Sequence, residues 1–160
     1  MLNSHNNIII FSRPIRTGKT TELFQYIKNT KKVGGFLTPD VDRKRMLYDI
    51  ALDKYNPFET DIIDKETTIQ IGKFSFLQST FEIGKEIITR SNKQNTFIID
   101  EVGKLEIEMN IGFEPAVKNI IDQYKTKNFQ GNLLVVIRDT LLERAINKYR
   151  LDGVKVIGHL

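Results

Sequence analysis

Ile8-Ile9-Ile10-Phe11-Ser12-Arg13-Pro14-Ile15-Arg16-Thr17-Gly18-Lys19-Thr20-Thr21 runs from an apolar stretch into a loop, and a helical pattern opens behind it at Glu22-Leu23-Phe24. The β-branched run reads as a buried strand, so the order is strand, loop, helix. Gly18-Lys19-Thr20 has the chemistry of the closing half of a phosphate-binding loop. Backbone N–H groups cradle phosphate oxygens, Lys19 reaches the β and γ oxygens, and the Thr20 hydroxyl is placed for Mg²⁺. Gly18 lets the backbone approach a phosphate with no Cβ in the way, and the emerging helix adds the positive end of its dipole. The opening half departs from the pattern G-x-x-x-x-G-K-[ST], which asks for glycine where the chain has Arg13. The loop is therefore degenerate, and its phosphate-binding candidates are Arg13, Arg16, Thr17, Gly18, Lys19, Thr20 and Thr21.

At 160 residues the chain reads as one domain over residues 1–160, large enough to bury a core without a staple. It has no cysteine, which removes disulfides, thiolate metal sites and a cysteine nucleophile. The polar start and short apolar runs point away from a signal peptide or a membrane span, so a soluble cytoplasmic protein is the expectation. Twenty-four Lys and Arg against 20 Asp and Glu give a mild positive charge. The basic residues form short clusters such as Arg43-Lys44-Arg45 without interleaved aromatics, so nucleic-acid binding is not expected. His5 and His159, near the two ends of the chain, suggest no metal or catalytic role.

Strand and helix alternate along the chain. Leu23, Phe24 and Ile27 share a helical face that ends near Lys31-Lys32, and 33–37 reads as a second strand stopped by Thr38-Pro39-Asp40. Residues 45–52 alternate as an antiparallel strand or hairpin, and 56–74 reads as an irregular excursion holding another short strand or two. A helix is expected from about 77 to 90 with Ser75 or Ser79 as N-cap, then a polar turn at 91–95 and a strand at 96–99. Phe113 to Tyr124, with Pro115 in the first turn, and Leu141 to Tyr149 read as amphipathic helices; 133–137 and 154–157 read as strands. The expected fold is α/β: a mostly parallel central sheet flanked by helices on both faces, with a small antiparallel hairpin excursion.

In such a sheet ligands sit beyond the carboxyl ends of the strands. Asp100 directly follows Phe97-Ile98-Ile99, the position of a Walker-B aspartate that holds Mg²⁺ opposite Thr20. Glu101 is the candidate general base for an attacking water. Arg138 ends the 133–137 run at the same edge, where its guanidinium could stabilise charge on the γ-phosphate.

The chain resembles the nucleoside-triphosphatase family known in humans as the cancer-related NTPase. Gly18-Lys19-Thr20-Thr21 is similar to the family's loop. Gly35-Phe36-Leu37-Thr38-Pro39-Asp40 is similar to its G-F-x-T-P block, and Arg45-Met46-Leu47-Tyr48-Asp49-Ile50 to its hairpin. Ile99-Asp100-Glu101-Val102-Gly103-Lys104-Leu105-Glu106 matches I-D-E-x-G-K-x-E. The resemblance implies a RecA-like P-loop fold and Mg²⁺-dependent hydrolysis of ATP or other nucleoside triphosphates with little base discrimination. Arg13 and Arg16 stand where the family loop has glycines, and Asp42 where it has an arginine. The chain ends at Leu160, where family members usually continue through an Asn-Arg segment into a final helix.

Three functions follow as expectations. The first is an NTPase with catalytic Glu101, Lys19 and Arg138, with Arg45 as a second candidate for offsetting charge. The second is a nucleotide or anion binder without turnover, which the altered loop suggests. The third is a kinase that passes the γ-phosphoryl group to a small hydroxyl acceptor. Oligomeric state is not legible in the sequence.

Overall fold

The computed structural model describes residues 7–91, 94–126 and 129–160, so His5 and the middle of the expected polar turn, Asn92 and Lys93, lie outside the described residues. In chain order the elements are β1 (Ile8–Arg13), α1 (Lys19–Asn29), β2 (Val33–Leu37), β3 (Asp40–Val41), β4 (Lys44–Asp49), β5 (Lys54–Pro57), β6 (Glu59–Thr60), β7 (Thr68–Ile71) and β8 (Phe74–Leu77). They continue with α2 (Gln78–Thr89), β9 (Thr96–Asp100), α3 (Lys104–Met109), α4 (Ala116–Lys125), β10 (Asn132–Arg138), α5 (Leu142–Tyr149) behind a 3₁₀ turn, and β11 (Lys155–Ile157).

The period-two pattern of the strands sets the layers. Ile8, Ile10, Phe97, Ile99, Leu133, Val135 and Ile137 face one side, where α2, α3, α4 and α5 cover them. Phe11, Leu37, Ile98, Leu134 and Val136 face the other, where α1 packs through Leu23 with half-buried Phe24 and Ile27. The main sheet runs β11-β1-β10-β9-β2-β4-β3, with β5 also on β4. Strands β11 to β2 are parallel, and β4 turns the edge antiparallel through Phe36 opposite Asp49 and Leu37 opposite Tyr48. A second, three-stranded antiparallel sheet, β6-β8-β7, forms from the expected 56–74 excursion and the residues just beyond it, to Leu77. Close approach at Gly35 requires glycine: its φ is +98°, and a Cβ there would lie 1.9 Å from the Ile98 carbonyl oxygen.

Four local expectations need correction. The first strand continues through Arg13, because Arg13 pairs in register with Arg138 of β10. Helix α1 ends at Asn29, so Lys31 and Lys32 lie beyond it. Ser75 lies within β8 and donates to the Ile62 carbonyl at 2.8 Å; α2 starts behind Leu77 with no side-chain cap. Helix α3, right after the acidic pair, was not expected. Six residues are too few to show a helical period, and Glu106 holds the turn by accepting from the Gly103 N–H at 2.9 Å and the Phe113 N–H at 2.9 Å.

Candidate functional site

The parallel topology brings the loop after β1, the acidic end of β9, Thr38 after β2 and the end of β10 to one edge of the sheet. A cavity of about 770 Å³ opens there, lined at one end by Arg16, Thr17, Gly18, Lys19, Thr20 and Thr21 and flanked by Asp100, Glu101 and Arg138. The loop is closed on itself. Lys19 donates to the carbonyls of Arg13 at 3.1 Å and Pro14 at 2.9 Å, and the Thr17 hydroxyl donates to the Pro14 carbonyl at 2.7 Å. Gly18 precedes α1 at φ 81°, a left-handed conformation natural to glycine. Arg16 adopts φ 58°, which strains a residue with a Cβ by about 1–2 kcal/mol. Of the two arginines that replace glycines, only Arg16 carries this strain; Arg13 is extended within a strand.

Arg13 is the one loop candidate whose side chain does not line the cavity. Its guanidinium turns toward α1 and the chain end, with Glu22 at 2.8 Å, His159 Nδ1 at 2.9 Å and the Thr17 carbonyl at 3.0 Å. Glu22 also accepts from the Leu160 N–H. Burial opposes the Glu22 charge, but that N–H, Arg13 and His159 outweigh it and hold the carboxyl below its usual range. The Arg13 guanidinium thus lies away from both the cavity and the pair Asp100 and Glu101.

The acidic pair divides into two environments. Asp100 is 3% exposed and accepts from the Thr38 N–H at 3.3 Å. Burial, with the Glu101 charge adding to it, pushes its carboxyl up to about 7 against the pull of Thr38, Arg45 and Lys19. Glu101 is more open and accepts from Arg138 at 2.9 Å, so the sheet edge joins two residues that the sequence singled out separately. Arg138 Nε is buried and has no hydrogen-bond partner among the described residues. On the hairpin, Arg45 donates to Asp40 at 2.9 Å. Burial works against its charge, but Asp40 and, behind it, Glu101 and Asp100 raise its pKa above the usual value.

Sequence reasoning missed two parts of this cavity. Thr38 read as a strand terminator and as part of the G-F-x-T-P block, with no role at the site, yet its N–H donates to Asp100. The far end of the cavity is mostly aromatic, lined by Phe58, Ile71, Phe74, Phe76, Phe81 and Phe113, and the first three of these lie within the 56–74 excursion that read as irregular. Phe residues at alternate positions, Phe74 and Phe76, were the available signal.

Among solved structures the chain is similar to THEP1 from the hyperthermophile Aquifex aeolicus, with a TM-score of 0.71, 21% identity, and coverage of 94% of this chain and 88% of that one. That likeness bears on the fold: a parallel sheet with the phosphate loop after β1. No curated protein matches the chain. A family model described as NTPase matches residues 7–158, nearly the whole length and both halves of the cavity's polar end. The chain belongs to this P-loop NTPase family.

Proposed function

We propose that the chain, as a single domain over 1–160, binds a Mg²⁺-nucleoside triphosphate at the loop and hydrolyses it to the diphosphate and phosphate. The observation that carries this reading is the convergence of Lys19, Thr20, Asp100, Glu101 and Arg138 on one cavity. Backbone N–H groups of residues 16–20 would hold the phosphates. On binding, Lys19 would exchange the carbonyls of Arg13 and Pro14 for the β and γ oxygens, its ammonium gaining a charged acceptor in place of neutral ones. Arg16, Thr17 and Thr21 line the same end and would contact phosphate oxygens from the rim.

The donor set fits Mg²⁺. Among the described residues no cluster of three or more His, Cys, Asp and Glu could hold a metal alone. Mg²⁺ leans on one or two protein oxygens and completes its shell with phosphate and water, and the Thr20 hydroxyl and Asp100 carboxylate offer that pair. When bound it would neutralise charge on the β and γ oxygens. Glu101 would orient and deprotonate the attacking water, with its other oxygen engaged by Arg138. Arg138, which lines the same cavity, would offset charge on the transferring group.

Calorimetric titration with a non-hydrolysable ATP analogue, with and without Mg²⁺, tests the first half. Metal-dependent binding weakened about a hundredfold in Lys19→Ala is expected, equivalent to roughly 2.7 kcal/mol. Phosphate release tests the second half: Glu101→Gln is expected to keep the analogue's affinity and lose at least tenfold in turnover. Unchanged turnover would remove Glu101 from this role. Binding without release above the Lys19→Ala control would instead favour the non-catalytic reading, whose motivation is the strained Arg16 and the diverted Arg13.

A further inference from the structure

A hydrolase needs room for a triphosphate and one water. This cavity continues past the acidic pair into an apolar chamber. Phe58, Phe81 and Phe113 form its inner wall, with Phe58 and Phe81 edge to face at 4.8 Å between ring centroids and Phe81 and Phe113 at 4.9 Å. Phe76 closes on Phe58 at 5.0 Å. Phe74, at the start of β8, has 42% of its surface exposed and pairs across the second sheet with half-buried Ile71. Phe58, Phe81 and Phe113 are buried against one another, and the surface they leave to the cavity comes from Phe74 with half-buried Phe76 and Ile71. Apolar side chains facing a cavity that is polar at its other end are the usual lining of a site for a ligand with an apolar body.

The order of the strands fixes where the chamber lies relative to a bound nucleotide. Crossing the sheet from the phosphate loop, one meets β10 with Arg138, β9 with Asp100 and Glu101, β2 with Thr38, and β4, on whose hairpin the second sheet rests. A loop of this kind cradles the α and β phosphates on its backbone and reaches the β and γ phosphates through its lysine. The γ-phosphate therefore points to the carboxylates, and the nucleoside leaves in the opposite direction. With the triphosphate held in that way, the aromatic end of the cavity, on the β4 side of the sheet, would lie on the γ-phosphate side, from which an attacking group arrives in line.

We propose that this chamber is a second-substrate site for a small planar aromatic alcohol, and that the protein transfers the γ-phosphoryl group to that alcohol. This rests on the loop holding the triphosphate as described above. In the step, the alcohol oxygen forms a bond to the γ-phosphorus while the bond from that phosphorus to the bridging oxygen of the β-phosphate breaks. The electron pair of the broken bond stays on the diphosphate, and the hydroxyl proton passes to the Glu101 carboxylate and on to solvent. Products are the nucleoside diphosphate and the phosphate ester. The aromatic wall holds the acceptor by stacking and displaces water from the γ-phosphate, so the alcohol competes with hydrolysis.

The test uses γ-labelled ATP with Mg²⁺ and a probe set of benzyl alcohol, pyridoxine and uridine, following label in the ester and in inorganic phosphate. Label is expected in the ester of at least one probe, with phosphate release falling as that probe is added. Phe74→Ala, at an exposed position that folding tolerates, is expected to raise the KM for that probe about tenfold, and Ile71→Ser serves as a second variant on the same side. Absence of labelled ester from every probe, while the non-hydrolysable ATP analogue still binds in a Lys19-dependent way, overturns the proposal and leaves the nucleotide site standing. Loss of analogue binding in Phe74→Ala, with inorganic triphosphate bound as by the unaltered chain, would put the nucleobase in the chamber and overturn it too. If the analogue does not bind the unaltered protein at all, the nucleotide reading itself has failed.

Discussion

The two ends of the cavity are built in opposite ways. The loop side of the polar end comes from one continuous segment, residues 15–21, whose side chains are held by near neighbours: Lys19 by the carbonyls of Arg13 and Pro14, Thr17 by that of Pro14. The aromatic end is assembled from Phe58, the second sheet, the start of α2 and the turn before α4, and most of its ring contacts join segments distant in the chain. A local site can tolerate unusual residues because little else leans on it; Arg13 is diverted to Glu22 and Arg16 is strained, and the sheet behind them is intact. The aromatic end belongs to the core, through Phe113 against Phe36 at 4.7 Å, so changes there act on stability as well as on any ligand.

The largest effect expected from that contrast is on folding. Phe58, 5% exposed and in contact with three other rings, is expected to cost about 3–5 kcal/mol when replaced by Ala, read as a shift of the urea midpoint. A cost below about 1 kcal/mol would break the comparison, because the aromatic end would then not be core.

A smaller, pH-dependent effect lies where the two ends meet. Glu106 lines the cavity and ties Gly103, beside the acidic pair, to Phe113 of the aromatic wall. Burial pushes its carboxyl from the ordinary 4.5 up to about 7, against the N–H donations of Phe113 and Gly103. The folded chain then keeps a proton that the unfolded chain has released, so its stability falls as pH rises from about 4.5 to about 7. Glu106→Gln has no such proton to lose. Thermal melts should show the difference in Tm between variant and unaltered chain moving in the variant's favour by several degrees over that window. A difference that stays constant with pH would mean the buried carboxyl is ionised throughout.

The smallest effect is expected at Arg13. Its pair with Glu22 is only partly buried, and Arg13→Gly restores the glycine of the usual loop at a cost within about 1 kcal/mol in unfolding. Because the guanidinium points away from the cavity, the affinity for the ATP analogue should change less than threefold. A tenfold loss would mean that Arg13 does reach phosphate in the bound state, and the loop would be less self-contained than its contacts indicate.

By itself the sequence determined the layers and the polar chemistry. Strand patterning gave the alternating faces of β1, β9 and β10, and the sequence order marked Gly18-Lys19-Thr20 at a helix start and Asp100 and Arg138 at strand ends as candidates for one site. Those features are local: a period of two, or a residue's place in a loop, is written in consecutive positions. The tertiary structure alone decided the rest. That Arg138 pairs with Glu101, that the Thr38 N–H holds Asp100, that Arg13 leaves the cavity for Glu22 and His159, and that six apolar side chains from separate segments form one wall all depend on which strands lie side by side. Neighbours across a sheet are set by packing and register between distant segments, and no run of adjacent residues records them.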